Sequence, residues 1–396
     1  MAELSTFLRG TMVLMGAVFL SKLFGFVFRI QFVRIAGEEA VGIYSAAYPA
    51  FIFFLSLIQL GLPIAVAKIT AELYAGKKHA EIQSLMRKVW KLTWLSIFIF
   101  GPLLFFTIPY IATSLLENAN ISTTLYIGLF TIPIAAFGGI LKGYFQGLAK
   151  VEETAWSQLI EQFFRIALIT WLLPYVVNQS SPGATAAAAM SLALLAELAS
   201  FLYLWYKYKR VKQTTEKVVT YPTTPILEVA LPSAGSRLFG SFTWFLEPIV
   251  FIKALAVAGV TAVAATNLYG MISAVYIPLL LFPAFIPYAL SIVLVPAVSD
   301  ARARSNRAML QERVSLAMRV SAITGCFAAT IFYLHGEHIV RVLFHVTEGK
   351  GYMQLLAPVF FFYYIQSPLH AILQAMHEAK AAMMNSIYGG LGKLFV

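Results

Sequence analysis

Residues 21–37, SKLFGFVFRIQFVRIAG, place charge where charge is costly. They lie inside an apolar segment running from about 10 to 36. As a helix that segment is ~40 Å long, enough to cross a bilayer with some tilt. Yet it carries Lys22, Arg29 and Arg34. A cation near mid-membrane costs about 2.5–3.5 kcal/mol on the mildest insertion scale. Lys22 and Arg29 are two helical turns apart and share a face. The cheaper arrangement turns that face towards a water-filled cavity, where it attracts an anion. Arg34, near the helix end, can snorkel to the headgroups.

Further charged residues fall inside apolar segments. Arg237 has no acidic residue three or four positions away, and an intramembrane cation without a local partner is a candidate anion ligand. Glu161 and Arg165 stand at i and i+4 in the favourable acid-first order. They form either an internal ion pair or part of a cavity lining. Glu197 and Glu247 either bind a coupling cation or are protonated and hydrogen-bonded to a neighbouring helix, and the second reading is favoured. Gln146 joins this set as a coupling or helix–helix polar group. His335, Glu337, His338, His345 and Glu348 cluster after segment 9, but their spacing builds no defensible metal site, and a solvated loop is expected. No nucleophile elbow, zincin helix, kinase signature or phosphate loop occurs. Neither a cofactor nor a resident metal is expected.

These residues need membrane helices to position them. Hydrophobic residues make up 60% of the 396-residue chain and charged residues 12%, with a mean hydropathy of +0.78. A soluble domain has about 45–50% apolar and ~25% charged residues. The chain therefore reads as an all-α polytopic membrane protein. Spans are expected near 10–36, 40–67, 90–114, 121–148, 154–177, 183–206, 226–252, 262–298, 314–334 and 353–376, with an eleventh beginning near 381. Pro278, Pro283, Pro287 and Pro296 should bend the eighth. The single cysteine, Cys326, excludes a disulfide framework.

The net charge of +11 resolves into a topology signal. Arg9 and the 2–3, 4–5, 6–7, 8–9 and 10–11 connections hold most of the cations. Lys68, Lys77, Lys78, Arg87, Lys88 and Lys91 fall in the first of these connections, and Lys142 and Lys150 in the second. The opposite side holds Arg34, Lys253, Arg341 and Lys350. The positive-inside rule then puts the N-terminus in the cytoplasm, and the basic balance does not point to nucleic acid.

The chain also repeats itself. SRLFG at 236–240 answers SKLFG at 21–25, Tyr269 answers Tyr44, and Pro287 answers Pro63. From Glu72 with Asp300 the offset settles at 228, through Gln83 with Gln311 and Gln146 with Gln374. An ordered series of matches is an internal repeat. It predicts two pseudo-symmetric six-helix lobes, 1–207 and 226–396, joined by a cytoplasmic linker at 208–225. An even helix number per lobe makes the repeat parallel. The second lobe lacks counterparts of 169–206, so it is expected to be incomplete in this chain. Gly139, Gly143 and Gly147 correspond to Ser367, Ala371 and Ala375, a small-residue spacing that favours close helix packing.

Arg9-Gly10-Thr11, the SKLFGF run with its two arginines, Gly37-Glu38-Glu39 with Gly42, Gly61-Leu62-Pro63, Gly143-Tyr144-Phe145-Gln146-Gly147 and Glu161-Gln162-x-x-Arg165 stand in order. Together they resemble the stage V sporulation protein B family of the multidrug/oligosaccharidyl-lipid/polysaccharide (MOP) flippase superfamily. The resemblance covers essentially the whole chain. It implies a V of two lobes that opens alternately inward and outward in the bacterial plasma membrane. It implies a cargo of lipid-linked saccharide of the undecaprenyl-pyrophosphate type, for cell wall or spore cortex, with membrane lipids and the cell-wall synthesis machinery as partners. Lys22 matches a cavity cation of members related to the lipid II flippase. A further arginine of those members falls at Phe28 here, with Arg29 one residue along. Lys22, Arg29, Arg237 and Arg165 are then the expected cargo-binding cations, and no enzyme activity is implied. The competing readings are a cation-coupled exporter of organic cations, which needs acidic groups facing the cavity, and a membrane glycosyltransferase, which needs a large outer loop.

Overall fold

Gly37 interrupts the first long helix. In the computed structural model, α1 (Ala2–Gln59) is one helical run in which Gly37 takes φ 76° and ψ 166°, backbone angles that only glycine adopts readily. The expected segments 10–36 and 40–67 are thus arms of one run, and the second arm ends early. Leu60 and Gly61 both have positive φ, and a new helix, α2 (Leu62–Ala75), starts with a proline in its first turn. Proline is favoured there because its missing N–H would have no partner anyway. The structure describes residues 2–211, 221–303, 306–346 and 351–376, with scattered positions from 378 to 392. The expected eleventh segment lies largely outside the described residues. So do Glu348, residues 212–220 of the 208–225 linker and the side chain of Arg9.

Helices outrun the expected spans. α3 (His79–Tyr110) already contains Arg87, Lys88 and Lys91, and α2 contains Lys68. The 2–3 connection therefore shrinks to residues 76–78. Charge ends a membrane span, but nothing in HAEIQSLMRKVWK breaks a helix. α4 (Ile121–Gly147), α5 (Val151–Val177), α6 (Pro182–Arg210) and α7 (Thr224–Val257) follow. Lys142, expected in a connection, is inside α4.

α8 (Ala262–Met271) opens the eighth segment. It passes through a wide turn at Ile272–Tyr276, the short α9 (Ile277–Leu281) and a tight turn at Phe282–Ala284 into α10 (Phe285–Ala303). Pro278 and Pro283 stand at these interruptions as expected, whereas Pro287 and Pro296 fall inside the continuous α10. α11 (Arg307–Phe344) carries His335, Glu337 and His338 on its last turns, so the expected loop is helical there. A Cβ on Gly336 would lie 2.7 Å from Met353 Cβ, and Glu337 Oε1 accepts from the Gly351 N–H at 2.5 Å. The helix ends at His345, with φ 60°. α12 (Tyr352–Ala375) completes the described helices.

Nine helices among the described residues are long and apolar enough to span a membrane, the first of them continuous from Phe19 to Gln59. Many of their large apolar side chains face outward. Phe106 is 78% exposed, and Trp171 and Tyr175 are each 75% exposed. Such surfaces suit lipid, where helices alone can satisfy the backbone.

The chain divides into two compact units, Met1–Gly270 and Met271–Val396. In the first, α1 packs on α4, α5, α6 and α7, while α2 packs on α4 and α7. Its core gathers Leu62, Val66, Leu85, Ile140, Leu204 and Ile226 from five helices. In the second, α10, α11 and α12 pack together around Leu294, Val298, Ala317 and Ala371.

Candidate functional site

A cavity of about 490 Å³ lies within the first unit, and α1, α2, α4, α5, α6 and α7 all contribute to its wall. Three glycines bring three of these helices together. A Cβ on Gly139 would lie 2.6 Å from Gln59 Nε2, one on Gly143 2.3 Å from the Pro63 carbonyl oxygen, and one on Gly147 2.7 Å from that of Ala67. This face of α4 therefore presses on the end of α1 and on α2 at backbone distance. Another face meets α6, where a Cβ on Gly138 would be 3.4 Å from Glu197 Oε1. Lys142, one turn on from Gly138, shares that face.

Four charged side chains meet there. Arg165 donates to Glu161 Oε1 at 2.6 Å. Lys142 Nζ lies 3.5 Å from Glu161 Oε2 and 3.8 Å from Glu197 Oε1. All four side chains are at most 21% exposed. Two cations and two carboxylates leave no net formal charge, which lowers the cost of holding them away from water. The far side of Arg165 is covered by the Phe28 ring, 5.7 Å from the guanidinium carbon. Phe28 stands on the first arm of α1, and a Cβ on its neighbour Gly25 would be 3.8 Å from Gln162 Oε1 on α5.

The other wall is aromatic. Tyr44, Tyr48 and Phe51 follow one another along the second arm of α1, with ring centroids 5.9 and 5.8 Å apart. Gln59, at the end of that arm and 4% exposed, gives an Nε2 hydrogen bond to the Ala135 carbonyl, while its Oε1 is buried without a partner. Arg165 Nε is buried and unpartnered too. Ile64, Gln146 and Arg237 also line the cavity and are exposed, so they form its rim.

The structure thus brings together Arg165, Glu161, Glu197, Gln146 and Arg237. Lys22, Arg29 and Glu247 do not line this cavity. Lys22 is exposed on α1, and Arg29 is half-buried one residue from Phe28. The Glu161–Arg165 pair is at once an ion pair and a cavity lining, so the two sequence readings are not exclusive. Glu197 has a lysine within 4 Å, a partner that the favoured reading of a neutral carboxyl did not include. Sequence reasoning missed Lys142 as a site residue. The signal was present, since Lys142 lies five residues before the end of α4, among glycines that leave it room. It also missed Gln59, whose role depends on where α1 stops.

Residues 7–302 match the family model described as "Polysaccharide biosynthesis protein". The chain is 36% identical to the stage V sporulation protein B of Bacillus subtilis (strain 168), over 98% of this chain and 76% of that one. It is 23% identical to the lipid II flippase MurJ of the same organism, again over 98% and 76%. Among solved structures, a multidrug resistance MATE family transporter of the MOP superfamily in an inward-facing conformation matches with a TM-score of 0.61. That match has 16% identity and covers 95% of this chain and 83% of that one. An all-α fold shared with a solved MATE family transporter, spans of membrane length and these relatives agree: the chain is a multi-pass membrane protein that belongs to the polysaccharide biosynthesis protein family, in its stage V sporulation protein B branch.

Proposed function

We propose that the chain moves an anionic lipid-linked saccharide precursor across the bacterial plasma membrane by exposing the cavity alternately to its two sides. The cargo would be of the undecaprenyl-pyrophosphate type, used for peptidoglycan or another cell-wall polysaccharide. The observation that carries this reading is the charge balance of the cavity. Its two carboxylates, Glu161 and Glu197, each lie within 4 Å of a cation. Arg237 on the rim adds a positive charge for which no ion pair occurs among the described residues. A site with this surplus draws an anion, and an exporter of organic cations would need the opposite balance. The flippase named among the relatives supports the same class of cargo. In this reading the N-terminus is cytoplasmic, the lobes are 1–207 and 226–396, and Lys22 and Arg29 act as further cations along the path of the pyrophosphate.

The test is reconstitution into lipid vesicles containing a short-chain polyprenyl pyrophosphoryl saccharide, with transbilayer movement scored by access of an added enzyme to the sugar. Protein-dependent movement is expected, and a fluorescent organic cation should not be transported. Movement of the organic cation alone would overturn the assignment.

A further inference from the structure

The cavity has two chemically different parts, and the difference suggests which part of a cargo each would take. Its inner wall is electrically balanced. Lys142 and Arg165 are already shared between Glu161 and Glu197 at 2.6–3.8 Å. A pyrophosphate pushed in here would meet two carboxylates and would have to take cations from them. A sugar ring would not. Each hydroxyl both donates and accepts, so a wall that alternates carboxylate with ammonium or guanidinium can satisfy several of them through charge-assisted hydrogen bonds.

Two unsatisfied groups indicate what this wall lacks. Gln59 Oε1 is a buried acceptor and Arg165 Nε a buried donor, and neither has a partner in the protein. Both residues line the cavity. A buried polar atom left unpaired is costly, and a ligand that both donates and accepts would relieve both. The facing row of Tyr44, Tyr48 and Phe51 supplies flat apolar surface for the C–H face of such a ring. The volume, about 490 Å³, falls in the roughly 300–1,000 Å³ range of pockets that enclose small ligands. Only the rim, at Arg237, has positive charge to spare.

We propose that the inner cavity is a saccharide subsite, taking a neutral, hydroxyl-rich ring system against Gln59, Glu197 and the aromatic row, and that Arg237 marks the place of the attached pyrophosphate. The proposal rests on the cargo class proposed above and divides that cargo between two parts of one site.

The experiment is binding by the purified full chain in lipid nanodiscs. The probes are a short-chain polyprenyl pyrophosphate and the same lipid bearing a disaccharide. The wild-type protein should bind the sugar-bearing lipid at least about tenfold more tightly, the scale of one or two added hydrogen bonds. Gln59→Leu and Glu197→Gln should each remove most of that advantage, the first leaving binding of the bare lipid unchanged and the second, which takes a carboxylate from Lys142, not weakening it. Retained bare-lipid binding also shows that the variants are folded. Arg237→Ala should weaken both probes by the same factor. Equal wild-type binding of the two probes would overturn the saccharide subsite while leaving an anionic lipid cargo in place. Equal weakening of both probes by Gln59→Leu and Glu197→Gln would overturn it too. Failure to bind either probe would remove the cargo class itself, and the subsite with it.

Discussion

The same helix pair occurs twice in this chain and is packed in two different ways. At the repeat offset of 228, α2 and α4 of the first unit correspond to α10 and α12 of the second. In the first unit the contact is made with glycine. Gly139 and Gly143 leave so little space that an added Cβ would overlap Gln59 and the Pro63 carbonyl. In the second, Ser367 and Ala371 stand at those positions, and the same offset puts Ser291, in place of the Pro287 matched from sequence, at the position of Pro63. There the helices meet through a side-chain hydrogen bond, Ser291 Oγ to Ser367 Oγ at 3.0 Å, and through an apolar cluster of Leu294, Val298, Ala371 and Ala375. Lys142 of the first unit becomes His370 in the second. One copy brings backbones together and holds charge beside the contact. The other keeps its side chains and lacks the lysine at the equivalent place. A repeat therefore conserves the placing of helices more readily than the chemistry between them.

That contrast can be broken most severely at the charges. Replacing Glu161 by Ala leaves Lys142 and Arg165 with Glu197 as their one nearby carboxylate, and Arg165 loses its 2.6 Å contact. Removing one partner of a buried ion pair costs about 3–5 kcal/mol. His370→Ala in the second unit is expected to cost roughly 1 kcal/mol or less, in the range of single changes that break no buried network. Unfolding of the purified chain in mixed micelles with increasing dodecyl sulfate measures both. Similar losses would mean that the charge cluster is not specific to the first unit.

The next largest effect concerns the glycines. In Gly143→Ala the new methyl would lie 2.3 Å from a backbone oxygen, and backbone cannot swing aside as a side chain can. Overpacking of this kind costs about 1–3 kcal/mol, and the upper end is expected here. The reverse change at the equivalent position, Ala371→Gly, should cost about 1 kcal/mol through the entropy of a helical glycine. The same unfolding assay should therefore separate the two by roughly 1–2 kcal/mol. A neutral Gly143→Ala would show that α2 and α4 are farther apart than the structure has them.

Much of this contrast could be read in the chain beforehand, though unevenly. Apolar run lengths located the helices because a membrane leaves few other ways to satisfy a backbone. The small-residue spacing at 139, 143 and 147 identified a contact face. Where spans and helices differ, reading failed. The cations of residues 79–91 and the histidines of 335–338 are on helices, since polarity ends the membrane and not the hydrogen-bond ladder. The repeat register is also clearer in the structure. Gly42 and Gly270 pack so closely that a Cβ on Gly270 would lie 2.3 Å from Gly42 Cα, and they are 228 apart. Carrying the offset back to them also aligns Ser45, Ala46 and Tyr48 with Ser273, Ala274 and Tyr276. For the site, an i to i+4 spacing was enough to pair Glu161 with Arg165. Lys142 with Glu197, and the unpartnered oxygen of Gln59, depend on which helices touch, and no local pattern carries that.

The smallest expected effect sharpens the comparison most directly, because it asks whether the second unit depends on its serine pair. Ser291 Oγ is also 2.7 Å from the Pro287 carbonyl one turn back, so Ser291 can donate there and accept from Ser367. Removing Ser367 alone then leaves Ser291 with a partner, whereas removing Ser291 leaves Ser367 without this one. On that basis Ser367→Ala should cost about 0.5–1 kcal/mol and Ser291→Ala about 1–1.5 kcal/mol, within the ordinary range of a neutral hydrogen bond. The double variant should cost less than the sum of the two, because the shared bond is lost once, and the coupling should be about 0.5 kcal/mol. A double-mutant cycle in the micelle unfolding assay reads this directly. Strict additivity would mean that the helices are held by Leu294, Val298 and their apolar neighbours alone. The second unit would then resemble the first in needing no side-chain bond at the contact, and the difference between the copies would reduce to how closely the backbones approach.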